Sequence, residues 1–276
     1  MITRRLDKDR TILIGQEDHA DLASQFAAHW GNEVFARLEP YNTAVFAAQY
    51  HDSHFREAEA DLPMDLEAGH PLGHRRASSP LKTLNAVRDN VAWVASRDPY
   101  AAILISMHNT GLQQNRYSTV NSWQNGYGST PRVRSPSPEV AAMIEELEYE
   151  QRAAIDDLGK QRPGADKQVR HNYHMLQVFD LLSLYFCCDA YDGEEMQPVR
   201  LGPIPLASGS DRTAEIQVIP VGKDAVRLDP YPFDTNPLEI SVAARILRNA
   251  AGSSEDDCRA AYYRSARHRL TWTITQ

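Results

Sequence analysis

The sequence predicts an α+β protein of one domain, residues 1–276: mainly a helical bundle over about 16–192, and a small antiparallel sheet formed by about 198–276. Three observations lead there. Apolar residues recur at helical spacing through the first two thirds of the chain. After Asp192 the character shifts to prolines, glycines and β-branched runs. A short strand–turn–strand pattern at the N-terminus offers two further strands that could join the sheet.

Ile2 to Arg5 and Thr11 to Gly15 read as strands joined by a polar turn at Asp7 to Asp9. Gln16 to Trp30 places Leu22, Phe26 and Trp30 on one helical face with His19, and Gly31-Asn32 is a stop signal. Tyr41 to Arg56 is an alanine-rich helix ending in His51-Asp52-Ser53-His54. Residues 61–80 carry Pro63, Pro71, Pro80, Gly69 and Gly73 and read as a loop. Helices follow over Leu81 to Ser96 and Tyr100 to Leu112, the second opened by Asp98-Pro99. Residues 115–138, with Tyr117, Trp123 and Tyr127, read as a long loop, either a lid or a binding surface. A charged helix spans Glu139 to Leu158, and an apolar one spans Gln168 to Asp189. The second suits the centre of a bundle. Strands are expected at Thr213 to Ile219, Ala225 to Leu228, Glu239 to Leu247 and Leu270 to Thr275, with a helix near Glu255 to Ala266.

The formal net charge of −8 gives no global attraction for phosphate backbones, and Arg4 and Arg5 are too few for a nucleic-acid footprint. No run of about 18 apolar residues is present, so no membrane helix is expected. Neither a signal peptide nor a disulfide framework is seen; Cys187, Cys188 and Cys258 lack CxxC spacing. A reducing cytoplasm fits these features. Phosphate-loop, dinucleotide, nucleophile-elbow and H-E-x-x-H motifs are absent.

The chemistry-bearing residues are His19, His51, Asp52, His108 and Asp180, drawn from four predicted helices. A divalent metal needs nitrogen and oxygen ligands converging from separate elements, as in the cores of helical bundles. Taken singly, a histidine on a helix is more often a hydrogen-bonded core or surface residue; His174 is a further histidine of this kind. Asp180 is the most informative. It lies within Leu176 to Leu184, where nearly every neighbour is apolar. A carboxylate there needs a metal, an arginine or a histidine to offset its desolvation.

Several segments carry a resemblance: Gln16-Glu17-Asp18-His19-Ala20, Tyr50-His51-Asp52, Asp98-Pro99-Tyr100-Ala101-Ala102, Ser106-Met107-His108-Asn109-Thr110-Gly111-Leu112, Phe179-Asp180-Leu181-Leu182-Ser183-Leu184 and Pro230-Tyr231-Pro232-Phe233. Together they resemble a bacterial family catalogued as domain of unknown function 3891, over nearly the whole chain. The resemblance implies Asp-Gly-Trp after His-Asp, where this chain has Ser53-His54-Phe55. The order His, His-Asp, Asp is also similar to HD-type metal-dependent phosphohydrolases, which implies an HD-like bundle. On that similarity His19, His51, Asp52 and Asp180 are the metal ligands and His108 is a further ligand or a substrate contact.

The expected function is a metal-dependent hydrolase of a phosphate ester or phosphoanhydride, with a small anionic substrate and a divalent ion (Fe, Mn, Zn or Mg). Asp52 would orient water, His108 would serve as general acid, and Arg56 would hold an anionic group; a solvated helix-end arginine is the ordinary reading of Arg56. The alternatives are an iron-dependent helical-bundle oxygenase and a non-enzymatic ligand-binding protein.

Overall fold

The computed structural model describes residues 1–73, 79–114, 136–189, 191–192 and 195–276. The aromatic residues Tyr117, Trp123 and Tyr127, expected to form a lid or a binding surface, lie outside the described residues. The chain begins with strands β1 (Ile2–Arg5) and β2 (Arg10–Ile14), an antiparallel hairpin, followed by α1 (Gln16–His29). Then come α2 (Tyr41–Tyr50), a 3-10 turn (Ser53–Phe55) and the short α3 (Arg56–Ala60). Two-residue strands β3 (Met64–Asp65) and β4 (His70–Pro71) pair with each other. The long helices that follow are α4 (Pro80–Ala95), α5 (Pro99–Gln113), α6 (Pro138–Gln161) and α7 (Ala165–Leu184); Leu84 of α4 and Val140, Ile144 and Leu147 of α6 bury one another in a small apolar cluster of their own. A π turn (Tyr185–Asp189) extends α7. The small ladder β5 (Tyr191–Asp192) and β6 (Glu195–Met196) leads to β7 (Val199–Pro205), β8 (Thr213–Gly222), β9 (Ala225–Asp229), β10 (Leu238–Arg248), α8 (Glu255–Arg264) and β11 (Arg267–Thr275).

The expected small antiparallel sheet beside a dominant, HD-like helical bundle is corrected here. Half of the chain is helical, and the sheet is large: seven strands in the order β1-β2-β10-β11-β9-β8-β7. It is also mixed, because β11 runs parallel to β9 and antiparallel to its other neighbour, β10. The physical reason is the way the sheet grows. The N-terminal hairpin adds to β10 through β2, with Ile12 opposite Ile246, so strands from both ends of the chain complete one surface. Val199–Pro205 adds a strand that its Gly-Pro content obscured. It sits at the sheet's edge, where a proline costs no ladder hydrogen bond. Gly202 is needed there, since a Cβ would lie 3.0 Å from the Ala214 carbonyl oxygen.

Helices and sheet share one apolar core. Phe26 of α1, Phe179 of α7 and Phe186 of the π turn are buried in the same cluster as Ile240 of β10 and Trp272 of β11. Phe26 stacks on both Phe186 and Phe233, with ring centroids 5.8 and 5.9 Å apart. The stop at Gly31-Asn32 is tied down as well. Gly31 takes a φ of +124°, which disfavours side chains, and its N–H donates to the Pro232 carbonyl. Asn32 donates to the Tyr231 carbonyl at 2.7 Å. Gln25 clamps α1 to β10 by exchanging two hydrogen bonds with the Ser241 backbone, at 2.8 and 3.0 Å. The sheet thus fixes the rotation of α1, which decides where His19 points.

Candidate metal centre

His19 lies in the second turn of α1, on the stripe that also buries Ala20, Ala23, Phe26 and Ala27. His51 closes α2 with helical dihedrals, and Asp52 leaves them at φ −112°, ψ 12°. That break matters, because adjacent residues within a helix point about 100° apart and do not meet. Leaving the helix at Asp52 lets two consecutive side chains serve one point. His108 comes from α5, whose start is set by Asp98 accepting the Ala101 N–H at 2.9 Å with Pro99 in the first turn. Asn109 holds α5 against the end of α2 by donating to the His51 carbonyl at 3.3 Å. Asp180 comes from α7, one turn before the π turn.

All five side chains meet, and all are buried. His19 Nε2 lies 3.2 Å from Asp180 Oδ1 and 3.4 Å from Asp52 Oδ2. His51 Nε2 lies 3.3 Å from Asp180 Oδ1 and 3.8 Å from Asp52 Oδ2. His108 Nε2 lies 3.9 Å from Asp52 Oδ1. The His51 ring stands edge-on between the other two imidazoles, 5.1 Å from His19 and 4.8 Å from His108. Within this cluster, His19, His51 and Asp180 form one group whose ligand atoms lie within 4.8 Å of one another; His51, Asp52 and His108 form a second. These buried groups could hold a metal ion.

The fit to an ion can be tested on geometry. Bonds of about 2.1 Å give ligand-to-ligand edges of about 3.0 Å in an octahedron and about 3.4 Å in a tetrahedron. The observed separations start inside that range and run slightly above it. Two atoms of the cluster, His51 Nε2 and Asp52 Oδ1, are buried without a hydrogen-bond partner. At 3.3 Å from Asp180, His51 Nε2 is close yet not aligned for a hydrogen bond. An orphaned buried donor or acceptor costs about 1–3 kcal/mol, so the pair calls for an occupant between them.

The outer nitrogens point to the same arrangement. His51 Nδ1 is 2.7 Å from the Ala48 carbonyl, which can only accept, so Nδ1 carries the proton and Nε2 presents its lone pair. Ser183 Oγ donates its one proton to the Asp180 carbonyl at 2.7 Å, so His19 Nδ1, 2.6 Å away, must donate to that oxygen. Fixing the far nitrogen in this way is how proteins orient metal-binding imidazoles.

Electrostatics follow from burial and neighbours. Burial pushes the His19 pKa down, but the Asp180 and Asp52 carboxylates outweigh it and hold it at about 9. His51 is raised by the same contest between burial and the two carboxylates. Asp52 and Asp180 would be driven up by burial; the facing imidazoles instead hold both well below the usual carboxylate range. His108 goes the other way: burial and then the nearby His51 push it down to about 4, leaving it neutral at pH 7.

Arg56, the remaining residue expected at the site, falls elsewhere. Arg56 is exposed and paired with Glu17, its Nε 2.9 Å from Glu17 Oε1. It does not join the cluster, because α3 turns its first residue outward. His174 Nε2 donates to the Pro203 carbonyl at 3.0 Å, linking α7 to β7. Ser53, at the departure from Asp-Gly-Trp, lies between the Tyr50 carbonyl and the Asn90 side chain, at 2.8 and 2.7 Å. Ser183 went unread in the sequence; a serine in an apolar helix gives no signal until its neighbours are known.

The fold and the cluster define a helix-and-sheet protein with a buried three-histidine, two-aspartate centre. The chain belongs to the family described as protein of unknown function DUF3891, whose model matches residues 1–249. No curated protein and no solved structure matches it. No helix among the described residues is long and apolar enough to cross a membrane.

Proposed function

We propose that the protein is a metal-dependent hydrolase acting on a phosphate ester or phosphoanhydride in the cytoplasm. Its divalent ion (Fe, Mn, Zn or Mg) would be held by His19, His51, Asp52 and Asp180. The observation that carries the reading is the convergence of His19 Nε2 and His51 Nε2 on two carboxylates, each imidazole with its Nδ1 proton already engaged. When bound, the ion supplies a water of lowered pKa and polarises a phosphoryl oxygen. Asp52 uses its unpartnered Oδ1 to accept a hydrogen bond from the attacking water and so orient it. Asp180 and Asp52 together balance the charge of a divalent ion. His108, neutral at pH 7, is better suited to ligation than to the general-acid role its position in sequence suggested. Arg56, engaged with Glu17 at the surface, has no part in this reading.

The test begins with purification without added metal, followed by elemental analysis and a phosphatase assay with p-nitrophenyl phosphate. About one ion per chain is expected. The double variant His51→Ala/Asp52→Ala should lose both ion and turnover while its circular dichroism stays unchanged. Unaltered metal content in that variant would overturn the proposal. A second reading has one observation in its favour: His19, His51 and Asp180 have the two-histidine, one-carboxylate composition of non-haem iron oxygenases. Iron as the resident ion with oxygen uptake, and no phosphatase activity, would favour it.

A further inference from the structure

We infer that the cavity beside His54 receives the apolar group of the substrate, and that His54 hydrogen-bonds the substrate's polar end; the word substrate here rests on the hydrolase reading above. The cavity has a volume of about 110 Å³ and is walled mainly by Phe55, Leu62, Pro63, Pro71, Leu72 and Ala86. His54 lines it too, and His54 follows Asp52 by two residues in the same 3-10 turn. His54 thus lines the apolar chamber two residues beyond Asp52, while none of the five cluster residues lines it.

His54 itself needs an explanation. It is 7% exposed, and neither ring nitrogen makes a well-formed hydrogen bond; its interaction with the His51 backbone is weak. A buried imidazole with both nitrogens poorly partnered is costly, and the cost disappears when a ligand supplies the partner. The ring packs on Phe55 with centroids 4.1 Å apart, which fixes its plane at the cavity wall. Among the described residues, the lining carries two charged side chains, Glu59 and Lys82, and the amino group of Met1. Glu59 is occupied by the Gln16 N–H and the Met1 amino group, and Lys82 is exposed. Among the described residues the rest of the lining is apolar apart from Ser79, Thr83 and His54, of which His54 is the buried one.

Size and chemistry limit the occupant. The volume is somewhat below the ~150 Å³ apolar cavity that admits benzene, so it suits an alkyl group of about four or five carbons. An ester of a short aliphatic alcohol with phosphate places its alkyl group in the cavity and its head group toward His54 and the cluster.

The test uses the full chain loaded with manganese. Binding of methyl-, butyl-, pentyl- and octylphosphonate is measured by titration calorimetry, and hydrolysis of the matching alkyl phosphates is followed in parallel. Affinity should rise about three- to four-fold per methylene up to about the fifth carbon and then level off. Ala86→Leu should cut that gain, and Leu72→Ala should carry it to longer chains; the second keeps the test open should the first fail to fold. His54→Phe should weaken every phosphonate about ten-fold while preserving the chain-length slope. A flat chain-length profile overturns the inference. Hydrolysis with a flat profile overturns the subsite alone and leaves the hydrolase. A rising profile without hydrolysis of any ester upholds the cavity as an apolar ligand site and overturns the hydrolase reading.

Discussion

Replacing Asp180 by Asn keeps the side chain's size and removes its charge. Asp180 Oδ1 faces His19 at 3.2 Å and His51 at 3.3 Å, so two effects should appear together. The first concerns the metal-free protein. His19 is raised from 6.5 to about 9, and a raised histidine stabilises the fold fully below its unfolded value and loses that contribution as pH rises through about 9. At pH 7 the shift is worth about 2–3 kcal/mol. Asp180 and Asp52 share it, so the variant should lose about 1–2 kcal/mol at pH 7. That corresponds to about 5 °C in Tm for a chain of this size. The loss should be somewhat larger at pH 6 and should fade toward pH 9.5, where His19 is mostly neutral in either protein. The second effect concerns the ion. Saturating the wild type at about a hundred times Kd should add about 2.7 kcal/mol, and the variant, with a ligand oxygen replaced by a neutral amide, should gain almost nothing. Differential scanning fluorimetry over pH, with and without manganese or zinc, reads both. Equal melting temperatures without metal, together with an equal rise on adding it, would refute this reasoning.

Two further outcomes follow from the same geometry. Metal binding near pH 7.5 should release about one proton, because His19 must give up its Nε2 proton to ligate; calorimetry in buffers of different ionisation enthalpy measures the number, and apparent affinity should climb with pH until about 9. Ser183→Ala removes the acceptor of the His19 Nδ1 proton, 2.6 Å away, and should weaken metal binding about 10- to 100-fold with the helix content unchanged. Full affinity in that variant, measured by competition with a chelating dye, would contradict the assigned orientation of His19.

The helices were legible because their signals are local. Apolar spacing located α1 to within a residue, and Asp98-Pro99 marked the start of α5. Alanine-rich Tyr41 to Arg56 was read as continuous, whereas the helix yields at Asp52 to the demands of the cluster. The sheet was hardest, because pairing is non-local. Nothing near Ile12 indicates Ile246 as its partner, and nothing near Thr273 indicates a parallel neighbour at Ala225. Val199–Pro205 was hidden by Gly202-Pro203, residues that suit an edge strand with a close backbone neighbour. Of the site, Asp180 was the clearest signal: a carboxylate in an apolar helix demands a partner. The partner's identity required three dimensions, as did the placing of Arg56 outside the cluster.

The larger sheet changes how the centre is held. In a bare helical bundle the positions of His19 and Asp180 would depend on helix packing alone. Here α1 is hydrogen-bonded to β10 through Gln25 and Ser241, while α7 runs into a π turn whose Phe186 packs on Trp272 of β11 with centroids 5.3 Å apart. The two helices that carry the most tightly paired residues are therefore each referenced to adjacent strands of one sheet. His51 and Asp52, by contrast, stand at a helix end, held by Asn109 and by the 3-10 turn that also carries His54. The rigid half of the cluster is sheet-anchored, and the half beside the cavity sits on a short turn. Adjustment to a ligand is cheaper in that turn, since moving it breaks fewer strand and core contacts.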